Sequence, residues 1–394
     1  MDTFLPAYLQ ALSGYLSRHV EPDRMISTLL AATRRMVENQ DPGCTLEEVF
    51  DQAFYPAIGL EKSRLRPVID EFYTHIFPSL RSLTRFRPEA VELVDAALDQ
   101  GYQIAIATNP LFPRSASMQR VSWAGFDLEK YPFKLVSTYE NFHFAKPNPA
   151  YYAEVLASLG WPDGPVLMVG DDLKRDILPA QQIGLGTFWI RSEIGSEVGP
   201  QDAAPDAGFY STGQGHLPDL MPWLDGQTGD ALQPDLKQPG ALLATLAATP
   251  AALDSFCRDL TPGAWRRQPA KDQWCAAEIV CHMRDVEREV NLPRIRTVLH
   301  ETNPFIPGKD TDPWAEQRQY IQQDGPRAFQ SFTVARRELL GLLTASDPEV
   351  WGRTARHAIL GPTNLAELIG IIAEHDRLHI RQIHSELSLS EPAL

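Results

Sequence analysis

Three short stretches place reactive side chains where a phosphoryl group would need them. The apolar run Val166-Leu167-Met168-Val169 ends in Gly170-Asp171-Asp172, and Asp176 follows four residues after Asp172. Carboxylates this close repel one another unless a cation lies among them, and oxygen-only donors suit Mg2+. A second apolar run, Ile104-Ala105-Ile106-Ala107, ends in Thr108-Asn109. Lys146 stands in Phe144-Ala145-Lys146-Pro147-Asn148-Pro149. With Asn148 as N-cap and Pro149 in the first helical position, that lysine sits at a helix mouth, a place that already attracts anions. A hydroxyl, a fixed ammonium and a carboxylate-bound Mg2+ are what a transferring phosphoryl group requires. Thr108, Asn109 and Lys146 are therefore the candidate catalytic residues, and Asp171, Asp172 and Asp176 the candidate magnesium ligands. Singly, each is an ordinary turn or cap residue; the ordered set carries the reading.

A second constellation lies near the C-terminus. His375 and His379 are four apart, so both project from one helix face, together with Leu368, Ile372 and Ile383. His282 lies on another helical stretch among Ile279, Met283 and Val286. A neutral histidine on an apolar face is ordinarily a satisfied core residue. Three of them without partners would cost roughly 1–3 kcal/mol each. One divalent metal satisfies all three and leaves a position open for water or substrate. Zinc, nickel, iron and manganese all accept imidazole. Glu278 and Asp376 are candidates for hydrogen-bonding partners behind the ligands.

The elements that must position these groups are legible in the periodicities. Residues from Thr3 to about Arg85 read as helices, with Phe4, Leu5, Tyr8, Leu9 and Leu12 at helical spacing and Pro22, Pro42, Pro56, Pro67 and Pro78 as punctuation. Pro88 opens an amphipathic helix (Val91, Leu93, Val94, Ala97, Leu98) that stops at Gly101. Strands are then expected over 103–107, 133–137, 166–169 and 187–190, with a short fifth at Gly208–Ser211. Strands alternating with helical spacers imply a doubly wound parallel sheet, whose carboxyl edge is where such folds keep their ligands. Residues 226–238 are polar and breaker-rich, the expected linker. Beyond it no strand pattern returns, and four helical stretches (242–260, 276–300, 327–343, 365–387) give the count for a four-helix bundle.

The chain has 394 residues, 43% of them apolar and 22% charged, enough for two domains with real cores. A formal charge of −15 argues against nucleic acid or an anionic membrane as partner. Cys44, Cys257, Cys275 and Cys281 form no C-x-x-C pair, which suits reduced thiols in a cytoplasmic protein. No apolar run reaches the roughly 18 residues of a membrane span, and no signal peptide is legible at the N-terminus. Gly184-x-Gly186 precedes a strand instead of following one, so it is not a dinucleotide loop. A receiver domain places its phosphorylated Asp before the Thr, whereas here the acids come last.

The phrases "IAIATN", "FAKPNPAYY" and "VLMVGDDLKRDILPAQQIGLGTFWI" resemble the haloacid-dehalogenase-like hydrolases, mostly phosphatases, over roughly residues 1–225. The resemblance implies that Thr108 binds the phosphoryl group and Lys146 offsets its charge. It also implies that Asp171, with Asp172 or Asp176, binds the metal, and that the helices of 3–85 form a cap over a core of about 86–225. The substrate implied is a small phosphorylated metabolite. One departure is serious: the family's nucleophile comes from a D-x-D on a first strand, and this chain shows no such strand. Its one D-x-D, Asp310-Thr311-Asp312, lies between Pro307 and Pro313 and reads as a loop. Without that aspartate no aspartyl-phosphate forms, and the chain as given should not turn over a phosphate ester at a useful rate. In the family the first strand lies centrally, so its loss would leave two buried strand edges with unpaired groups at roughly 1–3 kcal/mol each. The expectation is therefore that Met1 is an internal methionine of a longer chain.

The phrases "WCAAEIVCHMRDVE" and "IIAEHDRLHIRQI" resemble the DinB-like metal-binding bundles, over about residues 239–388. His282, His375 and His379 take the ligand positions, and the resemblance implies a divalent transition metal such as Zn2+ or Ni2+. Relatives that act on low-molecular-weight thiols make a thiol transferase the rival reading, with the α/β half non-catalytic. A binding protein in which neither site turns over is the third.

Overall fold

The computed structural model describes residues 3–191, 212–270 and 273–388. The first helical stretch resolves into α1 (Phe4–Tyr15), α2 (Pro22–Val37), α3 (Leu46–Ile58) and α4 (Lys62–His75), followed by a 3-10 segment, Phe77–Leu83. Their ends are written in the sequence. Thr45 and Glu48 close a reciprocal box at the start of α3, with Glu48 N–H donating to Thr45 Oγ1 at 3.2 Å and Thr45 N–H to Glu48 Oε2 at 2.9 Å. Gly59 ends the same helix at φ +75°. Pro56 and Pro67 sit inside α3 and α4, not between helices as the sequence suggested. Each forgoes one backbone hydrogen bond near a helix end. An aromatic interior compensates: Phe77 stacks on Trp123 at 5.1 Å, and Phe4, Tyr8 and Phe72 pack edge-on around it.

Five more helices and five strands follow: α5 (Pro88–Asp99), β1 (Ala105–Ile106), α6 (Arg114–Trp123), β2 (Leu135–Val136), α7 (Pro149–Ser158), β3 (Leu167–Gly170), α8 (Leu178–Gln182), β4 (Gly186–Ile190), β5 (Thr212–Gly215) and α9 (Leu220–Asp225). A π-helical turn, Leu173–Ile177, leads into α8. All strand pairs in this half are parallel, as the alternation required. The expected strand at Gly208–Ser211 lies outside the described residues; β5 begins at Thr212.

The sheet is in two pieces. β1 pairs with β2, β3 with β4 and β4 with β5, and no ladder joins β1 to β3. Both flank one cavity of about 2010 Å3, lined by Ile104 to Ala107 on one side and Val166 to Gly170 on the other. Parallel strands are ordinarily buried on both faces, yet every residue of β1 and β3 is half-exposed. The stripe of α5 likewise buries no residue fully. The apolar runs expected to be core therefore border the cavity.

The helical half contains α10 (Pro239–Cys257), α11 (Ala276–Val286), α12 (Leu292–His300), α13 (Trp314–Gln317), α14 (Gly325–Thr344) and α15 (Leu365–Ser388). α11 and α12 are one long rod, widened by a π-helical turn at Glu287–Asn291. A small sheet also occurs, contrary to the expectation of helices alone. β6 (Phe305–Ile306) runs parallel to β7 (Thr354–His357), which turns through Gly361 into antiparallel β8 (Gly361–Asn364). β6 is only two residues long, and β7 and β8 are short, largely polar and include Pro362, so no β-rich run announces them. Asp310 and Asp312 lie in an exposed loop, where Asp312 N–H donates to Asp310 Oδ1.

Residues 226–238 are strapped to the α/β half. Val166 N–H donates to Leu232 O at 3.0 Å and Asp235 N–H to Gly184 O at 3.0 Å. Gly184 has φ +84°, and a Cβ there would lie 2.0 Å from the Asp235 carbonyl oxygen, so only glycine fits. By length and composition α10 alone of the described helices could cross a membrane; 72% of that stretch is buried inside the protein. Its small residues Ala244, Ala248, Ala251 and Ala252 meet Tyr151, Tyr152 and Leu156 of α7 in one apolar interior that runs through both halves. Polar ties flank this seam: Ser255 Oγ donates to Asn141 O, Arg381 Nε to Trp161 O, and Arg258 pairs with Glu48. At its centre the fully buried His143 ring lies 2.8 Å from Glu154 Oε1 through Nδ1 and 3.1 Å from Asp254 Oδ2 through Nε2. Both nitrogens face carboxylates, so both carry protons.

Candidate functional site

The end of β1 and the start of α7 are tied by backbone geometry. Thr108 O accepts from Ser137 Oγ and from the Tyr151 hydroxyl, each at 2.7 Å, which fixes the turn and leaves the Thr108 hydroxyl unclaimed among the described residues. Asn109 Oδ1 accepts from Lys146 N–H at 3.1 Å. Asn148 caps α7 through Ala150 N–H at 3.0 Å, with Pro149 in the first helical position, as the sequence required. Lys146 is itself buried, its Nζ lying 2.6 Å from Asp176 Oδ1 and over the rings of Tyr151 and Tyr152. Asp176 in turn accepts from Asp172 N–H at 3.1 Å. Gly170 allows this closeness, since a Cβ there would lie 2.4 Å from Asp176 Cβ.

Thr108, Asn109, Lys146, Asp171, Asp172 and Asp176 thus line one rim of the cavity. The three aspartates serve different ends. Asp172 caps the π-helical turn through Lys174 and Arg175 N–H, and Asp176 is engaged by Lys146. Asp171 is exposed and makes no side-chain hydrogen bond among the described residues; its carbonyl accepts from Trp189 Nε1. The donors that fit Mg2+ here are therefore the free Asp171 carboxylate together with water and phosphate oxygens, in keeping with that ion's retention of water.

The three histidines converge more closely. Among the described residues they are the group of three donors that lie within 4.8 Å of one another. His282 Nε2 and His379 Nε2 each lie 3.1 Å from His375 Nε2. Two imidazoles on a tetrahedral ion at a bond length of about 2.0–2.1 Å have nitrogens about 3.4 Å apart, so the set fits one divalent metal. Burial first, then the neighbouring imidazoles, pushes His282 down to about 3; burial and His379 do the same for His375, and burial lowers His379. All three are neutral, as ligation requires.

The groups behind them differ from those expected. Glu278 accepts from Cys275 N–H and Gln268, not from an imidazole. Asp376 faces away, accepting from Thr249 Oγ1 at 2.9 Å and from Arg336. The group that holds a ligand ring is Gln382, whose Oε1 lies 2.9 Å from His379 Nδ1. Trp274 stacks parallel to His379 and tilts against His282. Arg336, fully buried, clamps Glu287 at 2.6 Å and Asp376, while Asn291 donates to Glu287 at 2.8 Å. A signal for it was present: an arginine on the Phe332, Ala335, Leu339 face of α14.

Comparison with known proteins places both halves in families. Residues 23–184 match the model for haloacid dehalogenase-like hydrolases, and residues 245–383 match the model for the DinB superfamily. The protein joins a haloacid dehalogenase-like hydrolase region to a DinB-superfamily helical bundle. A relative of the first half is pyrimidine 5'-nucleotidase YjjG of Escherichia coli (strain K12), 34% identical over 119 residues, which are 30% of this chain. The match spans about half of that relative, 49% of its length. Among solved structures, a HAD phosphatase from Thermococcus onnurineus aligns over 57% of this chain and 91% of its own, at 19% identity and a TM-score of 0.37. YfiT from Bacillus subtilis, a four-helix bundle of unusual topology, aligns over 40% and 87% at 20% identity and a TM-score of 0.35.

Proposed function

We propose that the α/β half is a Mg2+-dependent phosphatase of a small phosphate monoester, a pyrimidine nucleotide being the first substrate to try in view of the nucleotidase relative. The observation that carries this reading is the buried Lys146–Asp176 pair, set beside the free groups of Thr108 and Asp171 on one cavity. Lys146 and the Thr108 turn bind the phosphoryl oxygens; Asp171 holds the magnesium, which supplies charge neutralisation. No carboxylate on this rim is placed as a nucleophile: Asp172 and Asp176 are already engaged, and Asp171 is needed for the metal. The opening between β1 and β3 supports the view that an extended segment ending in carboxylates belongs there. The test is phosphate release from a panel of phosphate esters by a chain extended upstream of Met1, with the unextended chain and Lys146→Ala as controls. Turnover by the extended chain alone supports the reading; equal inactivity of all three sinks it.

The convergence of three Nε2 atoms favours a divalent metal in the bundle; the alternative reading makes that metal the centre of a transferase acting on a low-molecular-weight thiol, with the α/β half non-catalytic. Metal content of the full chain with and without His379→Ala, followed by thiol-consumption assays on the loaded protein, decides it. Four free cysteines are in keeping with a cytoplasmic location.

A further inference from the structure

The cavity is larger than a phosphoryl site needs, and a typical pocket for a small ligand is about 300–1,000 Å3. Two arginines line its cap side, and they differ. Arg66 is matched, 2.5 Å from Glu47 and 2.8 Å from Asp70. The side chain of Arg120, on α6, makes no hydrogen bond or ion pair to any described residue; burial alone acts on it and lowers its pKa. Its guanidinium lies 5.4 Å from the Phe112 ring centroid and 5.6 Å from that of Phe4. Those rings hold the side chain in place while leaving its edge donors unspent. Phe112 belongs to the turn that begins at Thr108, and its carbonyl is tied to Tyr139 N–H at 3.3 Å. Arg120 therefore stands at the far end of the same loop whose near end carries Thr108, with the cap's α1 on its other side.

A largely desolvated guanidinium without a partner is costly, and a planar pair of acceptors is what its fork matches. We propose that Arg120 is the specificity-determining residue of this pocket: it receives the distal end of a phosphate monoester that carries a planar two-acceptor edge, either a carboxylate or the O2/N3 edge of a cytosine ring. The proposal rests on the phosphate-site reading above. Aromatic walls at Tyr8, Phe50 and Tyr139 suit a flat ring or short chain between the two ends.

The experiment is calorimetric binding to the full chain of three probes: cytidine 5'-monophosphate, 3-phosphoglycerate, and ribose 5-phosphate, which lacks the edge. At least one edge-bearing ester should bind about tenfold or more tightly than ribose 5-phosphate, and which one does names the source of the edge. Arg120→Met should abolish that advantage and leave ribose 5-phosphate unchanged, while Arg120→Lys should keep part of it. Thermal midpoints of both variants guard against loss of folding. An unchanged ratio in Arg120→Met, or no preference in the wild type, overturns the proposal and leaves the phosphate site standing. If Lys146→Ala leaves ribose 5-phosphate binding intact, the phosphate site itself fails, and this inference falls with it.

Discussion

A histidine is judged by what its nitrogens face. His282, His375 and His379 point three Nε2 atoms at a common point, with no acid among them, and burial keeps them neutral. Replacing His379 by alanine should abolish uptake of a divalent metal by this cluster, read as ions per chain by elemental analysis, while the helical circular dichroism persists. Arg336 is the opposite case, a charge that holds other charges. Arg336→Met would strand Glu287 and Asp376 in the interior, and breaking such a pair costs about 3–5 kcal/mol. Urea unfolding should show that loss; a change under about 1 kcal/mol would mean that water reaches the site. At this scale the sequence was informative wherever spacing encodes direction. The i, i+4 histidines and the Asn148-Pro149 cap stand as read, because helical geometry fixes both. Asp172 and Asp176 show the limit: whether a carboxylate is free or spent on a neighbouring N–H depends on a turn, here π-helical, that composition does not reveal.

Elements were legible where they are long and periodic. The N-terminal helices and the bundle rods follow from apolar recurrence, and the parallel sheet from alternation. The sheet of β6, β7 and β8 escaped notice because β7 and β8 form a short hairpin of low β-propensity, and Phe305-Ile306 pairs with Arg356-His357, distant in sequence. The interruption between β1 and β3 predicts a gradient of protection. Amide hydrogens of β4, flanked on both sides, should exchange slowest, and those of β1 and β3 measurably faster. Mass-spectrometric exchange would check this, and uniform protection across the three strands would refute it.

At the scale of the whole molecule, the two halves meet through an ion relay that no local pattern announced. Burial alone would push His143 down, but hydrogen bonds to Asp254 and Glu154 and the field of both carboxylates outweigh it and raise the ring from 6.5 to about 9. A histidine raised in the folded state adds stability that is complete below pH 6.5 and is lost as pH climbs through about 9. Thermal midpoints should therefore fall between those values, and Asp254→Asn should flatten the fall. A flat profile in the wild type would show that the ring is neutral throughout. The sequence places His143 three residues before Lys146, yet Glu154 and Asp254 come from different families of fold, so their meeting depends on docking alone. That docking has a practical outcome for anyone who would separate the two halves. Scissors placed between residues 225 and 239 would release a bundle whose nineteen-residue α10 has lost its cover of tyrosine and leucine. The bared rod, apolar enough for lipid, would seek a new neighbour and clump, so each site must be tested by substitution within the intact chain.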